Sequence, residues 1–172
     1  MQPPLTRLTF GQRIRGVLTL DASTFEEIEA DRSATGQAFA VVLVSSLAAG
    51  IGAGLVFGVG GLIRATLAAL LGWLLWAGLT YLVGAKVMPE PQTNATWGQL
   101  ARTIGFASAP NALAFFVFIP FLGPLIAFVA AVWVLATTIV GVRQALDYRS
   151  TLRAAAVVFV GWLVFVMLQV LF

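Results

Sequence analysis

The sequence predicts an all-α protein: a polytopic membrane helix bundle of five transmembrane helices, preceded by a short amphipathic segment at the interface. Three observations carry that prediction. Of the 172 residues 60% are hydrophobic and only 10% charged, where ordinary soluble domains carry about 25% charged residues. A soluble fold of this size could not hide so much apolar surface. Second, the charges leave long gaps: residues 33–63, 65–85 and 103–142 contain none. A single span takes about 20 apolar residues. Third, five spans put Arg7, Arg13, Arg15, Arg32, Lys86, Arg102, Arg143, Arg149 and Arg153 on one side and Arg64 alone on the other. Such an imbalance places the N-terminus in the cytoplasm and Phe172 outside, whereas four or six spans would break the pattern.

Residues 1–36 are read as a cytoplasmic amphipathic segment and 37–172 as the membrane domain. Residues 5–20 mix Leu8, Ile14, Val17 and Leu18 with Arg7, Arg13 and Arg15, which suits a headgroup surface. The first 30 residues have no apolar core, so no cleavable signal peptide is predicted. Ser23 followed by Glu26 marks a capping box and the start of a short helix. Glu26, Glu27, Glu29 and Asp31 form an acidic cluster along it, either a solvated face or a docking site for a basic partner.

The first span is placed at 37–59. Ser46, Gly50, Gly54 and Gly58 recur every four residues and form a small-residue stripe that admits another helix at close range, within the chain rather than from a second copy. The second span, 65–85, carries Trp73 and Trp76 near its middle rather than at an edge, so they read as bulk facing helices or lipid. Pro89 and Pro91 extend the loop that follows. The uncharged run after Arg102 is twice a single span, and the turn Pro120 to Pro124 divides it into a tight hairpin of spans at 103–119 and 123–142. A short charged loop leads to the last span, 154–172.

Inside the third span Pro110 cannot donate to the carbonyl of Phe106, and a kink is expected. Ser108 and Asn111 are the nearby polar groups that can satisfy the loosened backbone. Asn111 lies close to the bilayer midplane, at a depth similar to Thr137 and Thr138. A mid-span asparagine usually bonds across to another helix; the alternative is contact with a substrate or lipid.

The chemistry available is narrow. The chain has no cysteine and no histidine, which removes thiolate metal sites, disulfides and the usual proton shuttle. None of the seven carboxylates falls within a predicted span, so neither a proton-coupled pump nor an intramembrane hydrolase can be assembled. Ser45, Ser46 and Ser108 read as helix-packing hydroxyls. No enzyme, cofactor, metal or nucleic-acid partner is expected; the expected partners are the bilayer and other membrane proteins or a second copy.

Three segments carry a family resemblance. LTLDASTFEEIEADRSATGQAF leads into the first span, WGQLARTIGFASAPN enters the third, and IVGVRQALDYRSTLRAA precedes the last. Together with the spans they resemble the Yip (Ypt-interacting protein) domain family over about residues 10–172. The resemblance implies five spans, a cytoplasmic N-terminus and a non-enzymatic role; eukaryotic members work in membrane traffic and contact small prenylated GTPases. Gly105, Phe106 and Pro110 correspond most directly to the family pattern. This N-terminal region is much shorter than in those members, and the Ala/Gly-rich composition resembles a prokaryotic member, residing in the bacterial or archaeal cytoplasmic membrane, to which the trafficking role does not simply carry over. Two functions are expected: a non-catalytic scaffold or adaptor for protein partners or lipids, and alternatively a small transporter or channel subunit for a solute or lipid. Arg102, Gly105, Phe106, Ser108, Pro110, Asn111 and Thr138 are the candidate site residues.

Overall fold

The structure, a computed structural model, describes residues 7–171. Two short helices, α1 (Phe10–Leu18) and α2 (Ala22–Ala30), precede a 48-residue helical run, α3 (Ala34–Tyr81), which ends in a π-helical turn, Leu82–Val87. Then come α4 (Trp97–Ala107), a 3-10 helix (Ala109–Phe118), α5 (Gly123–Ala145) and α6 (Thr151–Leu171). No strand occurs among the described residues.

Three stretches are long and apolar enough to cross a membrane, two within α3 and its π turn (Ala34–Gly52 and Gly54–Val87) and α5, or four if α4 and the 3-10 helix, bent by 41°, count as one span; Thr151–Met167 is a further apolar stretch. Their order matches the predicted one. The apolar faces turned outward are large: Phe57, Val59, Phe128 and Met167 are all exposed. In water they would drive aggregation; in hydrocarbon they cost nothing.

α3 is in fact two spans. Gly58 has φ 69° and ψ −169°, a conformation that costs glycine little and other residues much. There the helix doubles back, because Gly50 and Gly54 pack on Leu62 and Thr66 of the returning arm. A β-carbon at Gly50 would collide with the Thr66 hydroxyl and the Leu62 carbonyl. Thr66 also donates to the carbonyl of Ser46 at 3.4 Å. The stripe Ser46–Gly50–Gly54 therefore joins two arms of one chain. Gly58 is not part of it: the same spacing conceals the turn that makes the packing possible.

The third span also departs from expectation. Its α-helix starts at Trp97, capped by Thr96 and Gln99 in a reciprocal box, and stops at Ala107. The chain continues as a 3-10 helix with Pro110 in its first turn, where the missing N–H is not needed. A kinked α-helix is thus replaced by a change of helix type. At the tip Phe121 (φ 65°, 98% exposed) makes the predicted sharp turn, and Gly123 donates to the Ile119 carbonyl at 2.8 Å. The π turn after Tyr81 widens the second span so that Tyr148 can reach in, donating toward the carbonyls of Gly84 (2.8 Å) and Met88 (2.7 Å).

The N-terminal segment packs on the bundle. α1 and α2 form an antiparallel hairpin folded against the bundle. Val17, Phe25 and Ile28 are fully buried with Ala34, Ala38 and Phe106, and the Trp133 indole donates to the Leu18 carbonyl at 3.1 Å. Phe25 seats on Gly141, where a β-carbon would approach its ring to 3.1 Å. The helix start also differs from the predicted capping box. Asp21 is the N-cap, accepting from the Ser23 amide at 3.1 Å, and Ser23 itself is drawn into the cap as a donor.

Candidate functional site

Two regions of the bundle concentrate polar side chains. The first is the N-terminal clamp. Arg13, 1% exposed, is held by four hydrogen bonds to three groups: Glu27 through Nε (2.8 Å) and Nη2 (2.6 Å), Asp31 (2.6 Å) and the Gln37 amide oxygen (2.7 Å). A buried guanidinium needs its forked donors satisfied, and here helix α2 and the start of α3 supply the acceptors. Hydrogen bonds from Ser33, and then from Arg13, hold the Asp31 carboxyl well below the usual range. Arg102 meets the free end of α2, donating to the carbonyls of Ile28 (3.3 Å) and Glu29, which have no partner within the helix. Glu29 accepts from Gln99 at 2.7 Å. Burial pushes its carboxyl up to about 7, with Asp147 adding to the rise and Arg102 opposing it.

The acidic cluster is therefore not a free docking face. Glu27 and Asp31 are spent on Arg13, Glu29 is half-buried against α4, and only Glu26 is exposed, bonded to Gln144 at 2.8 Å. Sequence spacing places these carboxylates on one short helix but cannot say that an arginine from the preceding helix will face them.

The second region is the helix break. At the change from α to 3-10 the Ala107 carbonyl loses its helical donor, since Pro110 has no N–H and the Asn111 amide bonds the Ser108 carbonyl at 2.9 Å, and two other helices reach these carbonyls. Thr137 of α5 donates to Ala107 at 2.7 Å and Ser45 of α3 to Ser108 at 3.2 Å. Ser108 turns its own hydroxyl back to Gly105 at 2.7 Å, as expected. The cross-helix bonds come from Ser45 and Thr137, however, and not from Asn111. Its side chain has no hydrogen-bond partner among the described residues; it faces a half-open cavity of about 460 Å³.

That cavity sits between both arms of α3, the α4 break, α5 and α6. Ser46, Trp73, Trp76, Thr138, Trp162 and Phe165 share its wall with Asn111. Ser46 lies 12 residues after Ala34 and 12 before Gly58, so the cavity is at mid-depth of its helix. Among the described residues no charged side chain lines it. The remaining candidates frame the break: Gly105 lets α4 approach α3, where its β-carbon would come within 3.1 Å of Ala38 Cβ, Phe106 is fully buried beneath α1, and Pro110 is buried at the change of helix type. The structure brings Ser108, Pro110, Asn111, Thr138 and Ser46 together, and leaves Arg102 at the clamp. Among the described residues no three of His, Cys, Asp and Glu cluster as metal ligands would.

A bundle of apolar helices around an uncharged mid-depth cavity, closed at one end by a packed amphipathic hairpin, defines an integral membrane protein of the multipass helical class. The sequence model of the Yip1 domain matches residues 15–172; the chain belongs to that family, as the resemblance implied. No curated protein and no solved structure matches it.

Proposed function

We propose that the protein is a non-catalytic membrane adaptor, a scaffold that organises protein partners or lipids around a five-span anchor. Its N-terminal hairpin is cytoplasmic and its C-terminus external, in the cytoplasmic membrane of a bacterium or archaeon. One observation carries this reading: α1–α2 is locked to the spans by the Arg13 clamp and the buried Phe25 and Ile28. A headgroup-binding segment alone needs no such fixed geometry, whereas a rigid element beside the membrane presents Arg15, Phe10 and Leu20, all exposed, in one constant arrangement.

The test is cross-linking in intact membranes from photoreactive residues placed at 10 and 15. Defined adducts that disappear in Arg13→Ala, while the spans stay inserted, support the adaptor. An adduct pattern indifferent to release of the hairpin removes it. The second reading, a transporter or channel subunit, draws on the interrupted helix beside the cavity, since transport sites favour broken helices at mid-depth. Vesicles containing the protein that exchange solutes and lipids no faster than empty ones would dispose of it. Protein-dependent flux lowered by Asn111→Ala would replace the adaptor with it.

A further inference from the structure

The mid-depth cavity has polar groups that the fold itself leaves without partners. Ser46 (2% exposed) and Thr138 (3% exposed) are almost wholly withdrawn from the surface. Neither hydroxyl has a hydrogen-bond partner among the described residues, and both line the cavity. Asn111 does the same with a full amide. Trp73 also lines the space, but its indole N–H is withdrawn from it, so the ring offers only apolar surface. In hydrocarbon, water is not at hand to satisfy such groups; at Ser45, Thr66, Thr137 and Tyr148 the hydroxyls find a carbonyl, although the buried Thr80 hydroxyl, away from the cavity, does not. Three polar side chains, those of Ser46, Asn111 and Thr138, line one space that the protein does not fill.

We propose that the cavity is a binding site for a neutral lipid whose polar part is a carbonyl oxygen. The wall has no charge, and the site lies at mid-depth, so an anionic phosphate or carboxylate would enter without a counter-ion. Ser46, Thr138 and Asn111 each have a donor to give, and a carbonyl oxygen is the uncharged lipid group that accepts from them. Trp76, Trp162 and Phe165 offer flat apolar surface for the remainder. Room exists for it: a β-carbon at Gly72, on the wall, would meet nothing nearer than Phe165 Cζ at 3.9 Å. Both a quinone ring and a diacylglycerol ester have this chemistry. The inference rests on the cavity alone and stands whichever reading of function holds.

Three of the five tryptophans line the cavity, so their fluorescence reports occupancy. The full chain in phospholipid nanodiscs is titrated with decylubiquinone, with brominated diacylglycerol and with brominated phosphatidylglycerol. A saturable quenching component is expected from at least one neutral probe, identifying the source, while the anionic lipid quenches only in proportion to its amount. Gly72→Leu, which fills the space, should abolish the saturable component and keep the melting temperature of the wild type. Asn111→Ala should weaken it about fivefold, the worth of one hydrogen bond in the bilayer. The proposal is overturned if neither neutral probe saturates, if the anionic lipid saturates equally, or if a folded Gly72→Leu still binds. Should Gly72→Leu not fold, Asn111→Ala decides: an unchanged midpoint rejects the site.

Discussion

The N-terminal clamp and the mid-bundle cavity are both made of buried polar groups, yet they treat them in opposite ways. At the clamp the Arg13 guanidinium meets two carboxylates and an amide, and Arg102 closes the end of α2. In the cavity the side chains of Ser46, Thr138 and Asn111 meet no hydrogen-bond partner among the described residues. A saturated network spends its hydrogen-bonding capacity on geometry, and its reward is rigidity. An unsaturated one carries a desolvation cost that only a ligand can offset. The two regions are thus separable by mutation: the first should respond in stability, the second in binding.

The largest effect should follow from breaking the clamp. Arg13→Ala leaves Glu27 and Asp31 facing each other with no cation, and removing one partner of a buried ion pair costs about 3 kcal/mol. Because the hairpin packs outside the spans, the loss should appear first as local release. Limited proteolysis between Leu18 and Arg32 should become rapid while the rest of the chain stays intact. A protease-resistant hairpin in Arg13→Ala would mean that the apolar contacts of Phe25 and Ile28 suffice, and the contrast between the regions would weaken.

A smaller effect belongs to Glu29, which tests whether the clamp's edge is as settled as its centre. Its folded pKa of about 7 lies above the unfolded carboxylate value, so the folded state holds the proton more tightly. Between roughly pH 4.5 and 7 the folded protein binds more protons than the unfolded one, and stability falls as pH rises through that window. With the group partly solvated, the change amounts to about 1 kcal/mol. Hairpin protection, followed by hydrogen exchange at Ile28 and Ala30, should be greater at pH 5 than at pH 8, and Glu29→Gln should flatten the profile. A profile that keeps its slope in Glu29→Gln assigns the dependence to another group.

How much of this the sequence reveals follows from what kind of information each feature needs. Charge-free runs are one-dimensional, so the order of the apolar helices and the Pro120–Pro124 turn were legible. Gly50 and Gly54 were legible as packing residues because their spacing alone defines a face. Gly58 has the same spacing and a different job, since only its backbone angles distinguish a turn from a stripe. Arg13 was hidden among Arg7 and Arg15: the three differ in which face of α1 meets α2, and that depends on the hairpin. The four carboxylates of α2 and its C-cap were visible as a cluster, but their partners come from elements remote in sequence, Arg13, Gln99 and Gln144. Depth arithmetic put Asn111, Thr137 and Thr138 in one layer, and Asn111 and Thr138 share the cavity wall. It could not give direction, and direction separates a hydroxyl that bonds a neighbouring helix from one that faces a cavity.

That distinction yields the finest test of the comparison, between Thr137 and its neighbours in the layer. Thr137 donates to the Ala107 carbonyl at the helix break. Removing the hydroxyl in Thr137→Val keeps the shape and strips that carbonyl of its partner across the interface, at a cost of about 1 kcal/mol by the range measured for hydrogen bonds between membrane helices. Asn111 has no bond to lose. Asn111→Ala should therefore change stability by no more than a few tenths of a kcal/mol, less than the roughly 0.6 kcal/mol average of a real interhelical bond. Unfolding in mixed micelles with denaturing detergent resolves such differences when both variants are read in one series. If Asn111→Ala proves the more damaging, the amide is packing glue after all, and the cavity is a gap beside a structural bond rather than a site. If Thr137→Val alone is destabilised, the layer divides as the hydrogen bonds divide it, with Ser45 and Thr137 holding the break and Asn111 left to whatever enters.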